Sequence, residues 1–204
     1  MREEADGEMT AVKRIDPARC CAAIIDLQGF FLSLIEPRQR ARIKANTANF
    51  ARLVGAFGIP LVVTLERPVN VKGALPKEVA RRLGPRAKTF EKDFFDLTKE
   101  GKIRGHLARL KRRQVIVTGC ETDVCVMQSC LGLIALGYEV FVMEELIFSS
   151  SREVDAALIR MRDAGCVFCT YKMLYYELIA SVEGPEARFD AFGPFPEDLS
   201  DAAI

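Results

Sequence analysis

Short apolar runs alternate along the chain with stretches in which apolar positions recur at helical spacing. Runs such as CAAII and VIVTG are apolar on consecutive positions, so both faces are buried, as in strands of a parallel sheet covered by helices on each side. Strands are predicted over residues 20–25, 60–65, 87–90, 114–119, 139–143 and 166–170. Helices are predicted over residues 39–57, 77–83, 101–110, 123–136, 152–164 and 172–181. Gly58, Gly137 and Gly165 each stand where a helix must end before the next strand begins. Strand and helix therefore alternate, and right-handed crossovers turn that order into a three-layer, doubly wound α/β fold around a parallel sheet.

The 204 residues, half of them hydrophobic, suffice for one α/β domain with a full core. A single domain is expected, with a polar, acidic segment at residues 1–15. A tail over residues 184–204, rich in Pro, Phe and acidic side chains, is expected to drape over the domain or a neighbouring subunit. Lys and Arg number 29 against 28 Asp and Glu, and no basic stripe with interleaved aromatics appears, which argues against nucleic acid as a partner. The start, MREEADGEMTAVKR, has no apolar signal core, and no stretch holds the roughly 18 unbroken apolar residues of a membrane span. The seven cysteines fall within predicted strands and helices, not in loops that disulfides tie together, so a soluble protein of the reducing cytoplasm is expected.

Most of the chemistry lies in residues 115–126, VIVTGCETDVCV. The strand breaks at Gly119, and Cys125 follows where a helix begins, so its sulfur meets peptide NH groups and the positive end of the helix dipole. That setting is expected to favour thiolate and draw the thiol from its ordinary pKa of about 8.5 toward neutrality. Asp26 follows the first strand and Lys92 the third. Ligands of doubly wound sheets bind beyond the carboxyl ends of the strands where the strand order reverses; neighbouring first and fourth strands would set Asp26 opposite Cys125. A carboxylate there takes the thiol proton and returns it to a leaving amine, an ammonium favours the charged forms, and the sulfur attacks a carbonyl to give a thioester. The backbone NH groups of Glu121 and Cys125 are the candidate oxyanion donors. Cys166 and Cys169 point to opposite faces of a strand and read as core, while the five-residue steps from Cys120 to Cys125 to Cys130 do not gather a metal cluster.

These residues also carry a family resemblance. D-x-Q after the first strand (Asp26, Gln28), K-x-x-F-[SD] after the third (Lys92, Phe95, Asp96) and G-x-x-T-[DEHS]-x-C-V after the fourth (Gly119, Thr122, Asp123, Cys125, Val126) are similar to motifs of the isochorismatase-like cysteine hydrolases. The resemblance implies a six-stranded parallel sheet in the order 3-2-1-4-5-6, a triad of Asp26, Lys92 and Cys125, and a cis peptide between Cys120 and Glu121. The nicotinamidase branch adds an Asp and two His as metal ligands near the end of strand two. Here that region reads TLERPVNVKGALP and the only histidine is His106, so no metal and no other cofactor is expected. Glu66 and Arg67, at the end of strand two, are candidate substrate contacts together with Gln28, Arg67 by pairing with a carboxylate of the ligand. The expectation is a metal-independent cysteine hydrolase that cleaves a C–N bond of a small amide or related acyl compound, working as a homo-oligomer. The alternative is a non-catalytic or redox-sensing oligomeric thiol protein on the same fold, suggested by the cysteine content and by a helix at residues 123–136 that is apolar on nearly every side.

Overall fold

Six strands pair in parallel in the computed structural model, which describes residues 12–180: Cys20–Ile25 (β1), Leu61–Glu66 (β2), Ala87–Lys92 (β3), Gln114–Cys120 (β4), Glu139–Phe148 (β5) and Val167–Cys169 (β6). Their order is β3-β2-β1-β4-β5-β6, so the direction of winding reverses between β1 and β4. The connecting helices are Gly29–Ser33 (α1), Pro37–Ala56 (α2), Val69–Lys72 (α3), Lys77–Ala80 (α4), Gly101–Leu110 (α5), Met127–Ala135 (α6), Asp155–Asp163 (α7) and Tyr171–Ile179 (α8).

The period of two along a strand divides the apolar residues between two cores. On one face Ala22, Ile24, Leu61 and Val63 join Phe50 and Val54 of α2 and Leu174 and Leu178 of α8. On the other, Ala23, Ile25, Val115 and Val117 join Ile103 and Leu107 of α5, Leu133 of α6 and Met161 of α7. Every residue of β1, β2 and β4 is buried, which is why these strands lack polar alternation. The edge strand β3 reads AKTFEK and keeps polar, exposed side chains along most of its length, yet it ends on a buried Lys92. Cys166 and Cys169 lie in opposite cores.

Several boundaries differ from those predicted, each for a local reason. A bulge sets Val142 opposite Val117 but Ile147 opposite Gly119, and β5 therefore runs on to Phe148. The helix expected from residue 123 opens instead with a π-helical turn, Thr122–Val126, before α6. The short helices α1 and α3 are too brief to show a helical period in sequence. Residues 1–11 and 181–204, which include most of the polar start, the tail and the last residue of the final predicted helix, lie outside the described residues. No helix among the described residues is long and apolar enough to cross a membrane.

One glycine fixes the reversal. Gly119 has φ +117°, and a Cβ there would lie 2.0 Å from the carbonyl oxygen of Ile25, its partner across β1 and β4. The two strands meet this closely because position 119 has no side chain, and the chain ends that follow them, Asp26 and Cys120, are drawn together.

Candidate active site

Asp26 leaves β1 with φ +50°, in the left-handed region that aspartate tolerates better than most residues. Its NH reaches back to the Thr64 carbonyl at 3.1 Å, and its Oδ1 accepts from the Thr64 hydroxyl at 2.8 Å. Two residues on, Gln28 is buried and spends its amide on the backbone. Its Nε2 donates to the carbonyls of Glu66 and Gly73 at 3.2 and 2.7 Å, and its Oε1 accepts from the Glu66 NH at 2.7 Å. Gln28 thus straps the end of β2 in place.

Register brings the charges together. Glu66 and Lys92 are partners at the ends of β2 and β3. Lys92 is 0 % exposed; its Nζ lies 2.6 Å from Asp26 Oδ2, 3.0 Å from the Phe94 carbonyl oxygen, 3.6 Å from Glu66 Oε2 and 3.6 Å from Cys125 Sγ. Cys125 is 2 % exposed and donates from Sγ to Glu66 Oε2 at 3.1 Å. The other oxygen of Glu66 is paired with Lys72 of α3, whose ammonium lies over the Phe31 ring. The peptide joining Cys120 to Glu121 is cis, and the Glu121 carbonyl accepts from the NH groups of Val124 and Val126 at 3.1 and 3.0 Å.

The neighbouring motif residues hold this arrangement from outside. Ser129 of α6 accepts from the Leu97 NH at 3.1 Å and donates to the Phe95 carbonyl at 3.3 Å. Asp96 Oδ1 accepts from the NH and hydroxyl of Thr98, and the carboxylate occupies the space left by Gly132, where a Cβ would come within 2.5 Å of it. The segment after Lys92 is therefore docked on α6. Asp123 accepts from the hydroxyls of Ser149 and Ser151 at 2.6 and 2.7 Å, which ties the loop after β5 to the turn that carries Cys125.

Burial pushes the Asp26 carboxyl above its usual range, and the Lys92 ammonium and Thr64 hydroxyl offset only part of that. For Lys92, burial works against the charge, yet Asp26, Cys125 and Glu66 together raise its pKa. For Glu66, burial is outweighed by Lys72, Cys125 and Lys92, which hold the carboxyl below its usual range. The Cys125 thiol is pushed up, first by burial and then by Asp26 and Glu66, with Lys92 opposing. The expected near-neutral thiol is therefore corrected. A helix terminus carries only about half an elementary charge, and here it competes with desolvation and two carboxylates. Cys125 Sγ thus lies beside two ion pairs, Lys92 with Asp26 and Lys72 with Glu66.

Replacing Thr64 with Val removes a donor that favours ionised Asp26. The Asp26 pKa is then expected to rise further, read by carbon NMR titration of that carboxyl; an unmoved titration would contradict the assigned contact.

Of the residues singled out in sequence, Asp26, Gln28, Glu66, Lys92 and Cys125 meet at one place, and Glu121 joins the turn beside them. Arg67 does not join them. Its side chain faces outward and pairs with Glu91 and Asp93 at 3.0 and 2.6 Å. Glu66 Oε2 lies 3.1 Å from Cys125 Sγ and 3.6 Å from Lys92 Nζ. Like Asp26, Glu66 is a charged residue at the end of a largely apolar segment, here LVVTLE. The side-chain donors of Asp26, Glu66 and Cys125 lie within 4.8 Å of one another, but the Lys92 ammonium already stands among them, so this set does not fit a resident cation.

A sequence model of the isochorismatase domain matches residues 20–173. The chain is 28 % identical over 181 residues to isochorismatase domain-containing protein 2 of Bos taurus, covering 87 % of this chain and 84 % of that protein. Among solved structures it superposes on the MAR1 ribonuclease of Caenorhabditis elegans with a TM-score of 0.80, 24 % identity and 92 % of each chain covered. It also superposes on the Escherichia coli YcaC gene product, an octameric hydrolase of unknown specificity, with a TM-score of 0.78, 23 % identity and coverage of 94 % of this chain and 96 % of that one. The two structural likenesses concern the fold.

Proposed function

Because the chain belongs to the isochorismatase family, we propose that it is a cysteine hydrolase that cleaves a C–N bond of a small amide or related acyl compound through a thioester on Cys125, with no metal or other cofactor. The observation that carries this reading is a thiol in contact with a buried ion pair, Cys125 Sγ being 3.6 Å from a Lys92 Nζ that lies 2.6 Å from Asp26. Asp26, Lys92 and Cys125 form the catalytic triad in this reading. The raised pKa of Asp26 makes it a stronger base than an ordinary aspartate, and Lys92 balances charge on the sulfur as the proton leaves. The NH groups of Glu121 and Cys125 receive the oxyanion of the tetrahedral intermediate. Expulsion of the amine gives the thioester, which water hydrolyses.

A redox-sensing role fits less well, since the thiolate is the form that oxidises and burial, Asp26 and Glu66 all disfavour it here. All seven cysteines are buried and unpaired, which supports a reducing compartment such as the cytoplasm. A homo-oligomer is part of the proposal, supported by the octameric YcaC structure and by large apolar side chains left exposed at the end of α6 (Leu136), on α7 (Ile159) and on α8 (Met173, Tyr176). The test is a screen of small amides for ammonia release with hydroxylamine present. Hydroxamate should form alongside the acid, because hydroxylamine intercepts a thioester; ammonia without hydroxamate would contradict the intermediate.

A further inference from the structure

Glu66 is absent from the triad, yet its carboxylate is a direct hydrogen-bond partner of the sulfur. Its Oε2 accepts from Cys125 Sγ at 3.1 Å, while Asp26 already accepts from Thr64 at Oδ1 and pairs with Lys92 at Oδ2. Two features keep Glu66 in that position. Gln28 grips its backbone NH and carbonyl, and Lys72 pairs with the oxygen turned away from the sulfur. Resting on the hydrolase reading above, we infer that Glu66 is a second catalytic carboxylate and, in place of Asp26, the proton carrier: it takes the Cys125 proton during attack and delivers it to the leaving nitrogen, while Asp26 keeps Lys92 charged beside the sulfur.

The step balances. The S–H bond breaks and its proton passes to Glu66 Oε2 as the S–C bond forms. When the C–N bond breaks, that proton goes to the departing nitrogen. A water then attacks the thioester, gives a proton to Glu66, and the proton returns to the sulfur as the C–S bond breaks. Lys72 favours the ionised, proton-accepting form of Glu66 at the start of each cycle. The charged and titratable groups facing the sulfur and its two carboxylates are Lys92 from β3, Lys72 from α3 and Cys120 from β4, the last donating to the Asp26 carbonyl at 3.0 Å.

The test compares the full-length protein with Glu66→Gln in two readouts, turnover of an amide found in the screen and iodoacetamide alkylation of the Cys125 peptide followed by mass across a pH series. The inference requires the readouts to move in opposite directions. Removing one adjacent negative charge should speed alkylation at neutral pH about tenfold, because the thiolate becomes easier to form. Losing the proton carrier should slow turnover by about a hundredfold or more. Turnover within about twofold of wild type, on the scale of ordinary acid–base effects, would overturn the inference. So would slower turnover with unchanged alkylation, which describes a substrate contact. Should Glu66→Gln melt early, Lys72→Met carries the test. Glu66 then binds its proton more tightly and the acid limb of turnover moves to higher pH; an unmoved limb overturns the inference. Undiminished turnover in Cys125→Ala would instead overturn the hydrolase reading itself, whatever Glu66 does.

Discussion

Cys125→Ala is expected to abolish amide turnover, by at least about four orders of magnitude, while leaving the protein folded. In the proposed mechanism the sulfur carries the acyl group; the groups around it are carboxylates and ammoniums engaged with one another and the wholly buried Cys120 thiol, bonded to the Asp26 carbonyl. Loss of the intermediate therefore cannot be made good by a neighbour. The structural effect is small. The substitution deletes one buried atom, which costs about 1 kcal/mol, and it removes a donor from a Glu66 carboxylate that still keeps Lys72. Ammonia release and a thermal melt measured on the same sample separate the two effects. A variant that loses activity only in proportion to its folded fraction would mean that Cys125 is a packing residue.

Lys92→Met is expected to lose both activity and stability, and the loss of stability should depend on pH. Lys92 and Asp26 are both wholly buried, and removing one member of such a pair costs about 3–5 kcal/mol because the remaining charge has no partner. Asp26 then has burial raising its pKa and no ammonium to offset it. A carboxyl whose folded pKa lies above its unfolded one favours the folded state most at low pH, and that contribution is lost as pH rises through the folded pKa. The deficit of Lys92→Met should thus be small in acid and grow toward neutrality, as read by urea unfolding at a series of pH values. Adding Asp26→Asn should restore most of the stability at neutral pH and none of the activity. A deficit independent of pH would place its origin in packing and not in the uncovered carboxylate.

Much of this was legible in the residues. CAAII and VIVTG announced buried parallel strands, because no polar alternation interrupts them, and β1 and β4 run where those segments predicted. Lys92 and Lys88 share the edge strand β3, and the family spacing from Lys92 to Phe95 and Asp96 selected the one that is buried. What sequence withheld was register and balance. That Glu66 lies opposite Lys92 depends on how β2 pairs with β3, which neither strand states alone. The outward direction of Arg67 follows from Glu91 and Asp93 on the neighbouring strand. The protonation of Cys125 depends on the sum of a helix terminus, an ammonium, two carboxylates and the loss of water, and only the first of these is local.

Acid-quenching the enzyme during turnover of an amide and weighing its peptides shows whether an acyl group is carried on one sulfur. A thioester intermediate gives an added acyl mass on the peptide bearing Cys125, lost on treatment with hydroxylamine and absent from Cys125→Ala. Steady turnover with that peptide unmodified at every quench time, or the same added mass on a peptide bearing another cysteine, would contradict it.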